Sequence, residues 1–171
     1  MNWKKSKDWA DKYVPEIERV IKQVAGEIVE VRIANQDEDQ NHATDYIVEV
    51  SSGDIACRVR EECFWHRYAD ITLRYLRPSG NKTELEKIKE GYGCWYLYAW
   101  DKRFTDGKFI AWVFVDLDKL RNSGLLNKPR QVVWNRDGSS AFIYIKLAEL
   151  WQQGCFTEVS EEAGIQILET L

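Results

Sequence analysis

Charged side chains with the spacing of a phosphate site are concentrated in residues 43–74. Asp45 opens the β-branched run of residues 46–50, and Arg58 and Arg60 alternate with apolar residues on the run that follows. Side chains two residues apart on a strand point to the same face, so the two guanidinium groups are expected on one surface. Because guanidinium groups bind phosphate oxygens well, this segment predicts a site for phosphate or nucleic acid.

A second alternating triplet follows a short distance along the chain. Asp70, Thr72 and Arg74 are two residues apart and share one face if this stretch is a strand. Arg67 precedes them in residues 61–69, which are polar and aromatic and predict a solvent-exposed loop. Residues 43–74 therefore predict three strands, with Arg67 and Arg74 as further candidate contacts for nucleic acid.

The same residues also have structural explanations, which the sequence leaves open. Arg58 and Arg60, beside Glu49 and Asp70, could form a ladder of cross-strand ion pairs instead of contacting phosphate. Asp45 could be an ordinary acid at the start of a strand. Ion pairing and phosphate binding are both consistent with this pattern of charges.

Hydrophobic periodicity predicts the elements that would position these residues. Thr83 followed three residues later by Glu86 has the spacing of a capping box, and Glu84 in the same turn could simply complement the helix dipole. Predicted helices are 15–24, 83–90, 117–122 and 147–152, and Ser6 could cap a further short helix through Lys12. Predicted strands are 27–34, 46–50, 55–60, 70–74, 94–100, 109–115, 132–134 and 142–145.

This order of elements predicts an α/β or α+β domain with a mixed central sheet flanked by helices. We expect the strand led by Asp45 to pair antiparallel with residues 55–60, beneath the helices at 15–24 and 83–90. A chain of 171 residues is expected to form a single domain. Its predicted parts are a core at about 15–115, a hairpin and short helix at 128–157, and an acidic tail at 158–171.

The formal net charge of −4 is unevenly distributed along the chain. Residues 158–171 hold four Glu and no Lys or Arg, so the remainder is neutral and can still carry a local basic face. The 8 Trp and 8 Tyr predict an aromatic core or stacking platforms for bases. No apolar run approaches the length of a membrane span and no signal peptide is recognisable, which predicts a cytoplasmic protein that does not enter a membrane.

The four cysteines are expected to be free thiols, as is usual in the cytosol. Three potential zinc ligands, Cys57, Cys63 and His66, lie close together in the sequence. They lack the paired CxxC spacing of the usual structural zinc sites, so zinc is the lesser alternative.

The order helix, strand, acid-led strand, strand, helix, strand resembles the restriction-endonuclease-like PD-(D/E)XK fold. The resemblance covers roughly residues 15–115 and implies that Asp45 binds Mg²⁺ at the start of the second strand. The third strand departs from the family pattern, with Arg58-Val59-Arg60 where an acid and a lysine are expected. Arg60 would then replace the lysine as a fixed positive charge. The chain also resembles small phage or prophage proteins.

The resemblance implies a Mg²⁺-dependent nuclease that acts on nucleic acid, with DNA expected before RNA and a homodimer as a further expectation. The alternatives are a non-catalytic domain that binds nucleic acid or phosphate, and an accessory protein that binds another protein. Implied metal ligands are Asp45, Glu49 and Asp70; implied catalytic residues are Asp45, Arg60 and Glu84; expected nucleic-acid contacts are Arg58, Arg60, Arg67 and Arg74.

Overall fold

The computed structural model describes residues 11–25, 30–33, 46–50 and 53–171, with the backbone alone for 30–33 and 46–50. Within these residues the chain has an α+β fold, in which two sheets are flanked by helices. The helices are α1 (Val14–Ala25), α2 (Glu62–Tyr68), α3 (Glu84–Lys89), α4 (Leu117–Asn122), α5 (Leu147–Gln152) and α6 (Glu161–Thr170). The strands are β1 (Glu30–Ile33), β2 (Tyr46–Val50), β3 (Gly53–Arg60), β4 (Asp70–Leu76), β5 (Trp95–Asp101), β6 (Phe109–Asp116), β7 (Val133–Trp134), β8 (Ala141–Lys146) and β9 (Phe156–Val159).

The larger sheet is mixed and has the strand order β1-β2-β3-β5-β6-β9. Strands β2 and β3 pair antiparallel, from Tyr46 opposite Cys57 to Val50 opposite Gly53. This confirms the predicted pairing, although Asp45 itself lies outside the described residues. Strand β5 lies parallel to β3 and antiparallel to β6, and its residues 96–100 are buried, as the apolar run predicts.

Helix α1 covers one face of this sheet. Its apolar residues recur at helical spacing, and this stripe packs against the odd-numbered residues of β3. The remaining residues of β3, including Arg58 and Arg60, therefore point to the opposite face. The buried cluster on the α1 side includes Tyr13, Ile17, Val20, Ile21, Ile55, Cys57, Val59, Leu97, Ala99, Trp112 and Phe114.

The opposite face is covered by a second, antiparallel sheet with the order β4-β8-β7, together with α3. Strand β4 therefore does not extend the larger sheet. It pairs with β8, with Asp70 opposite Lys146 and Thr72 opposite Tyr144. The core between the layers includes Tyr96, Tyr98 and Trp100 from β5 and apolar residues of β4 and β8.

Two sequence-based interpretations are wrong in detail. The sequence predicts a loop at residues 61–69, but 62–68 form α2, because burial of Trp65 against Trp100 stabilises a short helix there. Residues 158–171 were interpreted as a tail, but they belong to the folded structure. Strand β9 pairs with β6, and α6 begins at the N-cap Ser160 and buries Ala163 and Ile167.

None of the helices that the structure describes is long and apolar enough to cross a membrane. None of the four cysteines, all of which the structure describes, forms a disulfide bond.

Candidate functional site

A buried ion pair joins the larger sheet to α3. Arg58 Nη2 lies 3.2 Å from Oε1 of Glu84, whose side chain is 3% exposed. The hydroxyl of Tyr96 donates to the same oxygen at 2.7 Å, and the backbone N–H of Arg74 donates to Oε2 at 2.9 Å. Burial raises the pKa of Glu84, while Arg58 and the Tyr96 hydrogen bond oppose that rise. Both carboxylate oxygens are therefore occupied by partners from β3, β4 and β5.

Local sequence explains how α3 presents Glu84 to these partners. Thr83 is the N-cap, and its hydroxyl oxygen accepts a hydrogen bond from the Glu86 N–H at 3.3 Å. The Glu86 carboxylate accepts the Thr83 N–H at 2.7 Å and completes the predicted capping box. Glu84 then occupies the first position of the helix, where the negative charge also complements the helix dipole.

A second ion pair lies nearer the surface. Arg60 Nη1 is 3.5 Å from Oδ1 of Asp70, the first residue of β4. Burial raises the pKa of Asp70 to about 6, although Arg60 and Lys146 oppose the rise. The guanidinium carbon of Arg60 also lies 4.1 Å from the centroid of the Phe64 ring on α2. Arg60 is thus held between a carboxylate and an aromatic ring.

Arg60 and Asp70 open into a pocket of about 440 Å³, where α2 and the end of β3 meet the second sheet. We call this the cationic pocket. Its charged lining residues are Arg60, Arg67, Asp70 and Lys146. Its aromatic lining residues are Phe64, Tyr68, Phe142 and Tyr144, and Thr72, Gln131 and Val133 complete it.

Positive charge predominates in the cationic pocket, since three of its four charged side chains are cations. Arg67 and Lys146 are exposed, so both can reach a ligand. A hydrogen bond holds the Thr72 side chain in place, since its hydroxyl lies 2.9 Å from the hydroxyl of the buried Tyr98. The hydroxyl of Tyr144 donates to Gln131 Oε1 at 3.4 Å. The arrangement can bind an anion that also carries an apolar or aromatic group.

The structure brings three of the predicted site residues together in the cationic pocket, namely Arg60, Arg67 and Asp70. Arg58 and Glu84 pair with each other elsewhere. Arg74 is half-buried, and its backbone joins the Glu84 network. The predicted ion pairing of the arginines is observed, but the pairs connect different layers of the fold rather than neighbouring strands of one sheet. Two predicted residues lie outside what the structure describes: Asp45 entirely, and Glu49 in its side chain.

Sequence reasoning missed the contribution of β8. Phe142, Tyr144 and Lys146 alternate with Ile143 and Ile145, which indicates that the three share a face. That signal was present in the sequence. The sequence did not show that β8 pairs with β4, because the two strands are far apart in the chain and alternation does not identify the neighbouring strand.

The described residues include only one of the three predicted metal ligands with its side chain, namely Asp70. Among them there is no group of three or more His, Cys, Asp or Glu side chains arranged to hold one. Asp70, the predicted ligand whose side chain is described, lies against Arg60 and opposite Lys146, and both charges would repel a cation. Cys57, Cys63 and His66, the three residues of the zinc alternative, are all described and form no such group.

No family model matches the chain, and neither the curated proteins nor the solved structures give a significant match. The resemblance to the PD-(D/E)XK fold accordingly stays a prediction.

Proposed function

We propose that this protein is a non-catalytic nucleic-acid-binding domain and that the cationic pocket is its binding site. The observation that carries the proposal is the convergence of three cations and four aromatic rings on one opening. Phosphates supply the anion and bases supply the aromatic surface that such a lining would bind.

The charges of the cationic pocket favour a phosphate ligand over a cationic one. Asp70 is already paired with Arg60, which leaves Arg67 and Lys146 as exposed positive charges at the opening. The formal net charge of the whole chain is −4, so this opening is a local feature and not part of a generally basic surface. Local positive potential is sufficient to attract a phosphate backbone.

Equilibrium binding to fluorescently labelled single-stranded DNA tests the proposal. The variant Arg67→Ala/Lys146→Ala should bind at least tenfold more weakly than the wild type. Its plot of log affinity against log salt concentration should be shallower by about 1.4, because each phosphate contact on a single strand contributes about 0.7. The same measurement with RNA shows whether DNA is preferred.

The matched control is Arg19→Ala/Lys22→Ala, which removes one Arg and one Lys from the exposed surface of α1. Helix α1 covers the opposite face of the larger sheet, so affinity and salt slope should stay close to those of the wild type. Equal losses in the two double variants would mean that binding depends on total charge and would overturn the assignment to the cationic pocket.

A metal-dependent nuclease is the second candidate, and the order of elements supports it. Strands β2 and β3 form an antiparallel pair, and a crossover that includes α3 leads to β5, parallel to β3. This order resembles that of the restriction-endonuclease-like fold, with α2 and β4 as additional elements between β3 and α3. Cleavage of DNA with Mg²⁺ that stops with EDTA and is absent in Asp45→Asn would establish this activity. A substrate screen without metal-dependent cleavage would leave the non-catalytic binder.

A further inference from the structure

We infer that the cationic pocket holds one unpaired guanine nucleotide of a nucleic-acid strand, with Asp70 facing the base and Arg67 and Lys146 facing the phosphates. This inference rests on the proposed function and specifies which part of a nucleic acid the pocket takes. A nucleic-acid strand and a free mononucleotide would present the same base and phosphate groups to the pocket, and the experiment below distinguishes them.

The shape of the pocket favours an unpaired base. A volume of about 440 Å³ falls within the range of pockets that enclose a small ligand. Aromatic side chains line it from two elements, Phe64 and Tyr68 on α2 and Phe142 and Tyr144 on β8. In a duplex the faces of a base are covered by its neighbours, so a base can stack on these rings only after it has left the helix.

Asp70 supplies the preference for guanine. It lines the pocket although it is only 7% exposed, and its contact with Arg60 is long, at 3.5 Å. An ionised carboxylate can accept several hydrogen bonds. Guanine carries two adjacent donors, N1–H and the N2 amino group, on its Watson–Crick edge, whereas each of the other common bases has an acceptor beside its donor. A carboxylate at this position therefore matches guanine best.

The remaining lining residues complete the site. The Arg60 guanidinium lies over the Phe64 ring, and such planes also stack on bases. Arg67 and Lys146 stand on α2 and β8, which also supply the aromatic rings, so a phosphate attached to a stacked base would lie within the same opening. The aromatic rings would thus contact the face of the base, the Asp70 carboxylate would accept from its edge, and the two cations would bind its phosphate.

Fluorescence anisotropy tests the inference with labelled DNA hairpins that share one stem and close through a polyethylene glycol linker, so that the loop offers no unpaired base. One hairpin carries a single bulged guanosine, one a single bulged thymidine, and one is fully paired; dGMP is a separate competitor. The wild type should bind the guanosine bulge at least tenfold more tightly than the paired hairpin, and more tightly than the thymidine bulge. Asp70→Asn, which keeps the shape of the side chain, should lose the preference for guanosine while still binding both bulges better than the paired stem.

Each of the other outcomes would overturn one specific part of the inference. Equal affinity for bulged and paired hairpins would overturn the claim that the pocket holds an unpaired nucleotide, and it would leave the proposed function intact. Equal affinity for the two bulges in the wild type, or a guanosine preference that survives in Asp70→Asn, would overturn the role of Asp70. Competition by dGMP at the affinity of the bulged hairpin would show that a free nucleotide is the ligand. Binding to none of the hairpins would overturn the inference, and it would overturn the proposed function as well only if single-stranded DNA is not bound either.

Discussion

Arg58 and Arg60 share a face of β3 but have different surroundings. Arg58 faces Glu84 in the interior, where Tyr96 and the Arg74 backbone complete the partners of the carboxylate. Arg60 faces Asp70 at the edge of a pocket that is open to solvent. We therefore assign Arg58 to stability and Arg60 to the proposed binding site.

Arg58→Ala should lower the free energy of unfolding by about 3–5 kcal/mol, because it leaves the buried Glu84 carboxylate without its positive partner. The double variant Arg58→Ala/Glu84→Gln should recover part of the loss, since the buried side chain at position 84 is then neutral. Arg19→Ala is the control: Arg19 is exposed and its partner Glu16 keeps Lys108, so the expected cost is about 1 kcal/mol or less. Urea unfolding measures all three. A cost for Arg58→Ala no larger than that of the control would contradict the assignment.

The protonation of Asp70 should make stability depend on pH. Its pKa is about 6 in the folded protein, against an ordinary value of 3.8, because burial disfavours the charge. Between these values the folded protein keeps a proton that the unfolded chain has released. The free energy of unfolding should therefore fall as pH rises through this window. Above the window the effect of Asp70 on stability should no longer change with pH.

Asp70→Asn cannot ionise and should remove this contribution. Urea unfolding of wild type and variant from about pH 4 to about pH 7 should show a difference, variant minus wild type, that increases up to about pH 6 and then levels off. Other titrating groups cancel in this difference. A constant difference across the range would show that the Asp70 carboxyl titrates in the same way in the folded and unfolded protein.

At the scale of elements, the alternation and the turn residues predicted most of the strands correctly. They failed at α2, where aromatic residues have only middling helix propensity and the helix depends on burying Trp65 against another element. They also failed at α6, where Gly164 interrupts the helical pattern. Both elements form because of tertiary contacts, which local sequence patterns do not report.

The hairpin between β5 and β6 packs closely against the start of α1. Gly107 has φ +66°, and a Cβ there would clash with the backbone carbonyl of Lys12. Gly138, in the β7–β8 turn, has nearly the same φ of +69° with open space around it. Ala at Gly138 should cost about 1–2 kcal/mol from the backbone conformation alone. Ala at Gly107 should cost about 1–3 kcal/mol more, because the backbone of α1 must move.

Thermal or urea unfolding of the two glycine variants measures this difference directly. Since the backbone conformation is matched, the excess loss in Gly107→Ala reports the contact between the hairpin and α1. If the two variants lose the same stability, the hairpin does not pack closely against α1 as the structure indicates.

At the scale of the whole molecule, the cationic pocket forms because β4 pairs with β8 in the second sheet instead of joining the larger sheet. This places Asp70 opposite Lys146 and brings the aromatic face of β8 toward α2. The sequence predicted Arg60, Arg67 and Asp70 as site residues from their charge and spacing. It could not predict their neighbours, since the pattern of one strand does not specify which distant strand pairs with it.

The most direct test of the central claim is photo-crosslinking of a short single-stranded DNA that contains a photoreactive base, followed by mapping of the crosslinked residues by mass spectrometry. We predict crosslinks to the aromatic residues of α2 and β8, at Phe64, Tyr68, Phe142 or Tyr144. These crosslinks should be lost in Arg67→Ala/Lys146→Ala and kept in Arg19→Ala/Lys22→Ala. Crosslinks confined to α1 or α6, with none in the cationic pocket, would contradict the account.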